Sequence, residues 1–451
     1  MSGSLAHLPP LATGTRALVL GLGRSGLSAA RYLDRKGLAV RVADTRADPP
    51  GGAALGQELA GAELRTGAFS SSLLDDVAQV VISPGLSLHE PLVREALGRG
   101  LPVVGDIELF AREARAPVAA VTGTNGKSTV TTLVAELANA GGRRALAGGN
   151  LGEPALELLR QPTPDLYVLE LSSFQLETTY SLRTVTATVL NLTPDHMDRY
   201  ASLEEYGAAK ARIFDGCDHA VVNADDPAVR TMPRRGQAVT SFSLVSEAAD
   251  YTLQRSPSAV IVCRGKPLLP LAQLRLQGLH NAANAMAALA MAEALKLPLT
   301  PALDALRAFG GLPHRSQWVA DVVGVHFVND SKGTNVGATL AAVQGMTGPL
   351  VMIAGGDGKN QDFSALRDAF RGKVRHVVLI GRDAPALEAT LSGVCSTERA
   401  ADMPAAVRAA RAAARPGDTV LLSPACASLD MFRDYAHRGD EFSAAVRGLA
   451  A

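Results

Sequence analysis

The chain has 451 residues, 47% apolar and 20% charged, which is enough buried material for about three domains and too much for one core. Forty-four basic residues against 44 acidic ones leave a formal net charge of zero, excluding general electrostatic binding to nucleic acid or to a membrane surface. Cys217, Cys263, Cys395 and Cys426 are scattered without a C-x-x-C pair, which excludes a zinc or disulfide scaffold; with no membrane-length apolar run and no signal-peptide pattern, a cytoplasmic setting is expected.

After a proline-containing tail, Arg16–Leu20 reads as a buried parallel strand, and Gly21-Leu22-Gly23-Arg24-Ser25-Gly26 turns it into a helix predicted from about Leu27 to Lys36. Leu38–Ala43 is the next predicted strand, with Asp44 at its end. Glycines at these spacings with an acid about 20 residues on form the dinucleotide fingerprint, which promises a nucleotide-like ligand at the carboxyl edge of a sheet without choosing NAD over another. A later strand, Gln79–Ile82, runs into Ser83-Pro84-Gly85, which taken alone is turn punctuation at the same edge.

Pro102-Val103-Val104-Gly105-Asp106 marks a boundary, after which Val118–Thr122 is an apolar strand leading into Gly123-Thr124-Asn125-Gly126-Lys127-Ser128-Thr129. The glycines let successive N–H groups turn toward one point, Lys127 supplies a mobile cation, and Ser128 supplies a hydroxyl suited to a magnesium shell. The predicted helix from Thr129 to roughly Ala140 points its positive end at the same place. This is a polyphosphate cradle, although Val121 stands where the usual pattern has its first glycine. Leu166–Ser173 is a strand with Glu170 near its end, where a phosphate-loop protein places a second magnesium contact. Thr186–Leu190 leads into Asn191-Leu192-Thr193-Pro194-Asp195-His196-Met197-Asp198-Arg199-Tyr200, in which His196 stands between two carboxylates. Lys210 lies on a predicted helix, Leu203–Phe214, and without further context reads as part of a solvated face.

Gln277-Gly278-Leu279-His280-Asn281-Ala282-Ala283-Asn284 opens an alanine-rich helix predicted over Ala285–Lys296; its two asparagines either cap the helix or bind a ligand. Breaker clusters at Leu297-Pro298 and Phe309–Pro313 close this domain. A third unit starts at His314-Arg315 with a strand into Asn329-Asp330-Ser331-Lys332-Gly333-Thr334-Asn335. Strands at Leu350–Ala354, Val374–Ile380 and Thr419–Leu422 alternate with helices and predict another parallel sheet. Gly355-Gly356-Asp357-Gly358-Lys359 and Ser423-Pro424-Ala425-Cys426-Ala427-Ser428 fall at its ligand-binding edge.

The cradle, Glu170-Leu171-Ser172-Ser173-Phe174-Gln175-Leu176-Glu177, Asp195-His196-Met197-Asp198, His280-Asn281-x-x-Asn284, His314-Arg315 and Asp330-Ser331-Lys332-x-Thr334-Asn335 together resemble the Mur ligase family, in the right order and over nearly the whole chain. The two loops of the third unit most resemble the member that adds D-glutamate to UDP-N-acetylmuramoyl-L-alanine. The Asn/Asp-Pro-Arg type motif of relatives that add meso-diaminopimelate or lysine is missing at the matching place.

The resemblance implies three α/β domains: an N-terminal Rossmann-like parallel sheet over 1–105 for the UDP-sugar, a central P-loop mononucleotide-binding domain over 106–311, and a C-terminal Rossmann-like domain over 312–451 for the amino acid. Gly23, Arg24, Ser25, Asp44, Thr45, Arg46 and Ser83 would hold the UDP end, with Asn150, Ser172 and Gln175 nearer the reacting carboxylate. Gly123–Thr129, Asn281, Asn284, Arg315, Asp330 and Lys332 would serve ATP. Thr334, Lys359, Ser428, Leu429 and Tyr435 would hold D-glutamate. Two magnesium ions, replaceable by manganese, would use Ser128 and Glu170, and His196 with a carbamylated Lys210. Lys127, Glu170, His196, Lys210 and Lys332 would carry the chemistry. A cytoplasmic monomer working in bacterial peptidoglycan synthesis follows, with mobile linkers near residues 105 and 311. Three other readings stay open: a folylpolyglutamate synthase-like ligase, which lacks such an N-terminal domain; a non-catalytic nucleotide-sugar sensor, against which Lys127, Glu170, His196, Lys210 and Lys332 together argue; and a dehydrogenase, resting on one GxGxxG.

Overall fold

The computed structural model describes residues 11–276, 278–346 and 348–450; the proline-containing tail and Gln277 lie outside them. By its contacts the chain divides into two units. The first takes in the described residues up to Leu192, with Arg199–Thr252 and Met286–Ala305; the second takes in Thr193–Asp198, Leu253–Ala285 and the described residues from Leu306 onward.

The first unit begins with a five-stranded parallel sheet of order β3-β2-β1-β4-β5, made by β1 (Arg16–Leu20), β2 (Ala39–Asp44), β3 (Glu63–Thr66), β4 (Val77–Ile82) and β5 (Val103–Val104). Its inner strands β1 and β4 are buried along nearly their whole length and mostly apolar, as expected where helices cover both sides. The first helix spans Arg24–Arg35 and so starts three residues earlier than predicted. Gly26 is the reason: an added Cβ there would lie 1.8 Å from the Gly21 carbonyl oxygen, and its absence lets the first turn close down on the loop.

The central sheet of this unit is also parallel, with order β12-β11-β10-β9-β6-β8-β7. Its members are β6 (Val118–Thr122), β7 (Ala145–Gly149), β8 (Leu166–Glu170), β9 (Thr184–Val189), β10 (Cys217–Asn223), β11 (Ala238–Ser243) and β12 (Tyr251–Gln254). Of these, β7, β10, β11 and β12 were not read from the sequence. Helix Lys127–Ala140 packs on β7 and β8, burying Val130, Leu133, Val134 and Leu137.

The two sheets of the first unit share one apolar core. It runs from Ala17, Val19 and Leu33 through Ile107 and Phe110 to Tyr167, Leu171 and Leu176, and Phe110 meets Tyr167 edge-on at 5.0 Å between ring centres. Around residue 105 the chain is tied down rather than loose. The Gly105 N–H donates to the Thr178 carbonyl at 3.1 Å, and buried Glu108 accepts the N–H groups of Tyr180 and Ser181.

In the second unit β13 (Val260–Cys263) and β14 (Lys266–Pro270) form an antiparallel hairpin. Its main sheet has order β15-β16-β20-β17-β18-β19, made by β15 (Gln317–Val322), β16 (Val325–Asn329), β17 (Leu350–Gly355), β18 (Val374–Ile380), β19 (Ser396–Arg399) and β20 (Thr419–Leu422). The sheet is mixed, correcting the expectation of a parallel one: β15 pairs antiparallel with β16 through a tight turn at Val323-Gly324. Apolar clusters cover both faces, one around Met352, Phe370 and Leu387, the other around Phe327, Val407 and Phe442.

Candidate active site

The cradle is a strand, a loop and a helix start. Gly123 has φ +145° and Gly126 has φ +85°, conformations that L side chains avoid, so the loop's N–H groups can turn where other residues would not let them. Lys127 folds back over the loop, its Nζ donating to the carbonyls of Gly123 at 3.0 Å and Thr124 at 2.8 Å. Asn191, two residues past the end of β9, fixes the loop from the side. It takes the Asn125 N–H on Oδ1 at 2.8 Å, donates from Nδ2 to the Asn125 carbonyl at 3.0 Å, and accepts the Thr124 N–H on its own carbonyl.

Glu170 ends β8, the neighbour of β6, so register sets its carboxylate beside the cradle. Its Oε2 accepts the Ser128 hydroxyl at 2.5 Å and its Oε1 accepts Asn150 Nδ2 at 2.6 Å, all three at the carboxyl edge of the sheet. Asn150 is held in turn by its own N–H on the Glu170 carbonyl at 2.8 Å. A buried carboxylate and a buried hydroxyl converging on one point are hard oxygen donors, and that pair fits a magnesium ion.

Lys210 belongs to helix Leu203–Ala211 and is 1% exposed, so the solvated-face reading does not hold. Its Nζ donates to the Gly123 carbonyl at 2.9 Å and lies 4.4 Å from the Tyr206 ring centre. Lys127 and Lys210 therefore meet at the same loop carbonyl.

At the edge of the first sheet, Asp44 ends β2 and organises its surroundings. Its carboxylate accepts the Leu22 N–H at 2.7 Å, the Arg46 N–H at 2.9 Å and the Arg46 guanidinium on both oxygens. The Arg46 bonds hold the carboxyl well below the usual range. Arg24, at the start of the first helix, donates to the Gly152 carbonyl at 2.7 Å, and Ser83 lies against Gly21, where an added Cβ would come within 2.9 Å. Gly23 caps that first helix, and Thr45 stands between Asp44 and Arg46. Ser172 and Gln175 form a capping box at the start of helix Ser173–Glu177, and Gln175 Nε2 also donates to buried Asp106 at 3.2 Å. The resemblance assigns both to the ligand; in the structure each has a protein partner.

In the second unit His196 takes φ +56°, its N–H donating to Asp195 Oδ1, while Asp195 Oδ2 accepts from Asn335 at 3.2 Å. Asn281 and Asn284 sit within helix Leu279–Ala294, which begins six residues before the predicted start, and Asn284 donates to Asn281 at 3.2 Å. The extra turn comes from the segment Leu279–Asn284, whose His280 ring is buried between Gly278 and Gly345. Burial lowers that imidazole to about 4.

Asp330 follows β16 and is buried. Its Oδ1 accepts the Ser316 N–H at 3.0 Å and its Oδ2 accepts the Ser423 hydroxyl at 2.8 Å; burial pushes its carboxyl up to about 6. Ser316 follows Arg315, so the same bond anchors the Arg315 turn. The Lys332 ammonium lies 3.8 Å from the Tyr435 ring centre, a cation–π pair. Thr334 bonds through its N–H to the Lys332 carbonyl, and Asn335 caps helix Val336–Gly345. The Gly355–Lys359 and Ser423–Ser428 loops are laced by reciprocal backbone bonds between Asp357 and Ala427, at 3.0 and 2.8 Å. Lys359 has φ +50°; Ser428 is buried and Leu429 is 71% exposed.

Two contributors were not assigned from sequence. Asn191 had a readable signal, an asparagine just past the strand beside the cradle strand. Arg438 had none. It is fully buried, donates to Ser331 Oγ at 3.0 Å, to the Ser331 carbonyl at 2.8 Å and to the Cys426 carbonyl at 3.1 Å, and so ties the turn after β16 to the Ser423–Ser428 loop.

Three domain families match in order: the MurD-like N-terminal domain of Mur ligases over residues 15–105, the Mur ligase middle domain over 121–292, and the Mur ligase glutamate ligase domain over 314–426. The chain is 52% identical over 437 residues to the UDP-N-acetylmuramoylalanine--D-glutamate ligase of Nitrosococcus oceani, covering 96% of each chain. It is 52% identical over 441 residues to the protein of that name from Methylobacillus flagellatus, covering 96% of this chain and 97% of that one. Among solved structures it is similar in fold to the UDP-N-acetylmuramate-alanine ligase MurC of Thermotoga maritima, with TM-score 0.60 and 19% identity over 96% of this chain and 99% of that one. On its three matching domains and its near full-length identity to these ligases, the chain belongs to the Mur ligase family.

Proposed function

We propose that this chain is an ATP-dependent ligase that joins D-glutamate to UDP-N-acetylmuramoyl-L-alanine in peptidoglycan synthesis, releasing ADP and phosphate. The observation that carries this reading is the identity, over nearly all of both chains, to ligases named for that reaction. A folylpolyglutamate synthase-like activity is not favoured, because the MurD-like N-terminal domain is present.

A free carboxylate cannot form an amide usefully, since oxide is too poor a leaving group. The alanyl carboxylate of the sugar nucleotide attacks the γ-phosphorus of ATP, expelling ADP and giving an acyl phosphate. The amine of D-glutamate then attacks the carbonyl and expels phosphate. The first step brings several anions together, a repulsion on the order of several kcal/mol that must be neutralised. Lys127, folded over the cradle onto the Gly123 and Thr124 carbonyls, supplies positive charge beside it. Lys332, whose ammonium lies over the Tyr435 ring, is a further cation assigned to this step in the same reading. Ser128 and Glu170 would hold a first magnesium ion and His196 a second, with manganese as a substitute; bound there, the metal neutralises phosphate charge as a Lewis acid. A carbamate on Lys210 would turn a cation into an anion suited to the second metal.

In the same reading Gly23, Arg24, Ser25, Asp44, Thr45, Arg46 and Ser83 bind the UDP end, and Asn150, Ser172 and Gln175 lie toward the reacting carboxyl. Gly123–Thr129, Asn281, Asn284, Arg315 and Asp330 serve ATP; Thr334, Lys359, Ser428, Leu429 and Tyr435 hold D-glutamate, where most of the rate gain is positional. The domain division at residues 105 and 311, a cytoplasmic location and a monomeric state belong to the proposal; no described helix is long and apolar enough to cross a membrane.

The test is phosphate release by purified protein given ATP, magnesium and UDP-N-acetylmuramoyl-L-alanine, with D- or L-glutamate. Release that depends on D-glutamate supports the reading, and release with folate substrates instead would move the assignment to the other ligase.

A further inference from the structure

Arg199 closes the polar loop that follows β9 and is bonded in three directions. Its Nη1 donates to the Pro84 carbonyl at 2.8 Å, its Nη2 donates to Glu177 Oε2 at 3.1 Å, and its guanidinium carbon lies 3.9 Å from the Phe174 ring centre. The side chains of Arg199 and Glu177 are 13% and 16% exposed, so water competes weakly for either. Only a planar fork reaches a carbonyl and a carboxylate while lying on a ring; a lysine could serve one of them.

These partners belong to different parts of the first unit. Pro84 is the middle of the Ser83-Pro84-Gly85 turn after β4, whereas Phe174 and Glu177 lie on the short helix that follows Glu170 at the end of β8. The continuation of the turn, Ser87-Leu88-His89, borders a cleft of about 300 Å³ shared with Arg199, Tyr200 and Glu205. Packing is therefore incomplete on that flank, and the Arg199 bond supplies a fixed point there.

We propose that Arg199 is a positioning residue for the sugar nucleotide. It sets the Ser83–Gly85 turn against the strand end that carries Glu170, so that the nucleotide end and the reacting carboxyl of one extended substrate are held at one separation. The proposal rests on the function proposed above. It separates two ligands: the cradle is fixed by Asn191 and its own glycines, so ATP binding does not pass through Arg199.

The experiment measures, on the full chain, the Kd values of UDP-N-acetylmuramoyl-L-alanine and of a non-hydrolysable ATP analogue, together with the thermal midpoint, for wild type, Arg199→Lys, Arg199→Ala and Glu177→Gln. Sugar-nucleotide binding is expected to weaken about tenfold in Arg199→Lys and about thirtyfold in Arg199→Ala, with Glu177→Gln weakened less than either. The ATP analogue should stay within about twofold and the midpoint of Arg199→Lys close to wild type. Unchanged sugar-nucleotide affinity in Arg199→Ala overturns the proposal, as does a parallel loss of both ligands with a falling midpoint, the mark of a purely structural role. A wild-type protein that binds no sugar nucleotide sinks the functional reading as well, whereas wild-type binding with an indifferent Arg199→Ala sinks this proposal alone.

Discussion

The Lys210 ammonium lies 2.9 Å from the Gly123 carbonyl oxygen, inside the phosphate loop and out of contact with solvent. A long cationic side chain is rarely buried to this degree unless a specific partner or a chemical task keeps it there.

Replacing Lys210 with alanine should therefore lower kcat by about 100-fold or more while the protein stays folded. Small carboxylates added to the Lys210→Ala variant should restore part of the rate, because they stand in for the anion of a carbamate. An unaffected variant, or one that no carboxylate helps, removes the carbamate from the mechanism. A ¹³C signal from the wild type incubated with labelled bicarbonate, absent in Lys210→Ala, is the spectroscopic check.

Lys127→Ala removes the cation that folds over the cradle. Turnover should fall by about 1,000-fold or more, with ATP affinity also reduced, as measured by phosphate release and by analogue binding. Near-normal rates would mean that the triphosphate binds elsewhere.

Gly149 has φ +96°, and a Cβ there would stand 2.5 Å from the Glu170 carbonyl oxygen. Backbone cannot yield as a flexible side chain can, so Gly149→Ala should displace the strand end that carries Glu170 and Asn150. We expect about 2–4 kcal/mol of lost stability and a raised magnesium requirement in the protein that still folds. Denaturant unfolding and a magnesium titration of the rate give the two readouts. A wild-type response in both would show that the strand end tolerates the shift.

Asp330 carries a pH dependence whose sign can be worked out. Its folded pKa is raised to about 6 from 3.8, so between those values the native state holds more proton than the unfolded chain. Stability from this group is greatest below pH about 4 and is lost as pH rises to about 6, by about 3 kcal/mol at the full shift. Asp330→Asn should flatten that part of the curve: the difference in unfolding free energy between variant and wild type should change between pH 4.5 and 7.5. A constant difference across that range would show that Asp330 does not titrate there.

Local chemistry made much of this legible. The strand Arg16–Leu20, the glycine loop after it, the cradle and the acid of Glu170 all follow from rules that act within a few residues, and the structure has them at those positions. What depended on a distant partner was not legible. Asn150 reaches Glu170 only because β7 lies beside β8, and Arg438 reaches Ser331 across more than 100 residues. Asp44 was correctly placed at a strand end, yet nothing in its neighbourhood says that Arg46 would occupy both carboxylate oxygens. The antiparallel strand Gln317–Val322 escaped notice because its alternation of half-buried and exposed residues is that of an edge, weak beside the continuous apolar runs of the inner strands. Ser172 and Gln175 show the converse: a motif drawn toward a ligand by resemblance also satisfies the backbone of its own helix.

The core shared by the first two sheets bears on how such ligases diversify. Phe110 and Ile107 are buried among residues from both sheets, with Tyr167 and Leu176 on the far side, so the family boundary at residue 105 is not a seam in the packing. A hybrid joined there, with its two halves taken from different relatives, would bring together surfaces that never evolved against each other. Recombination between relatives should instead keep these two halves as one inherited block.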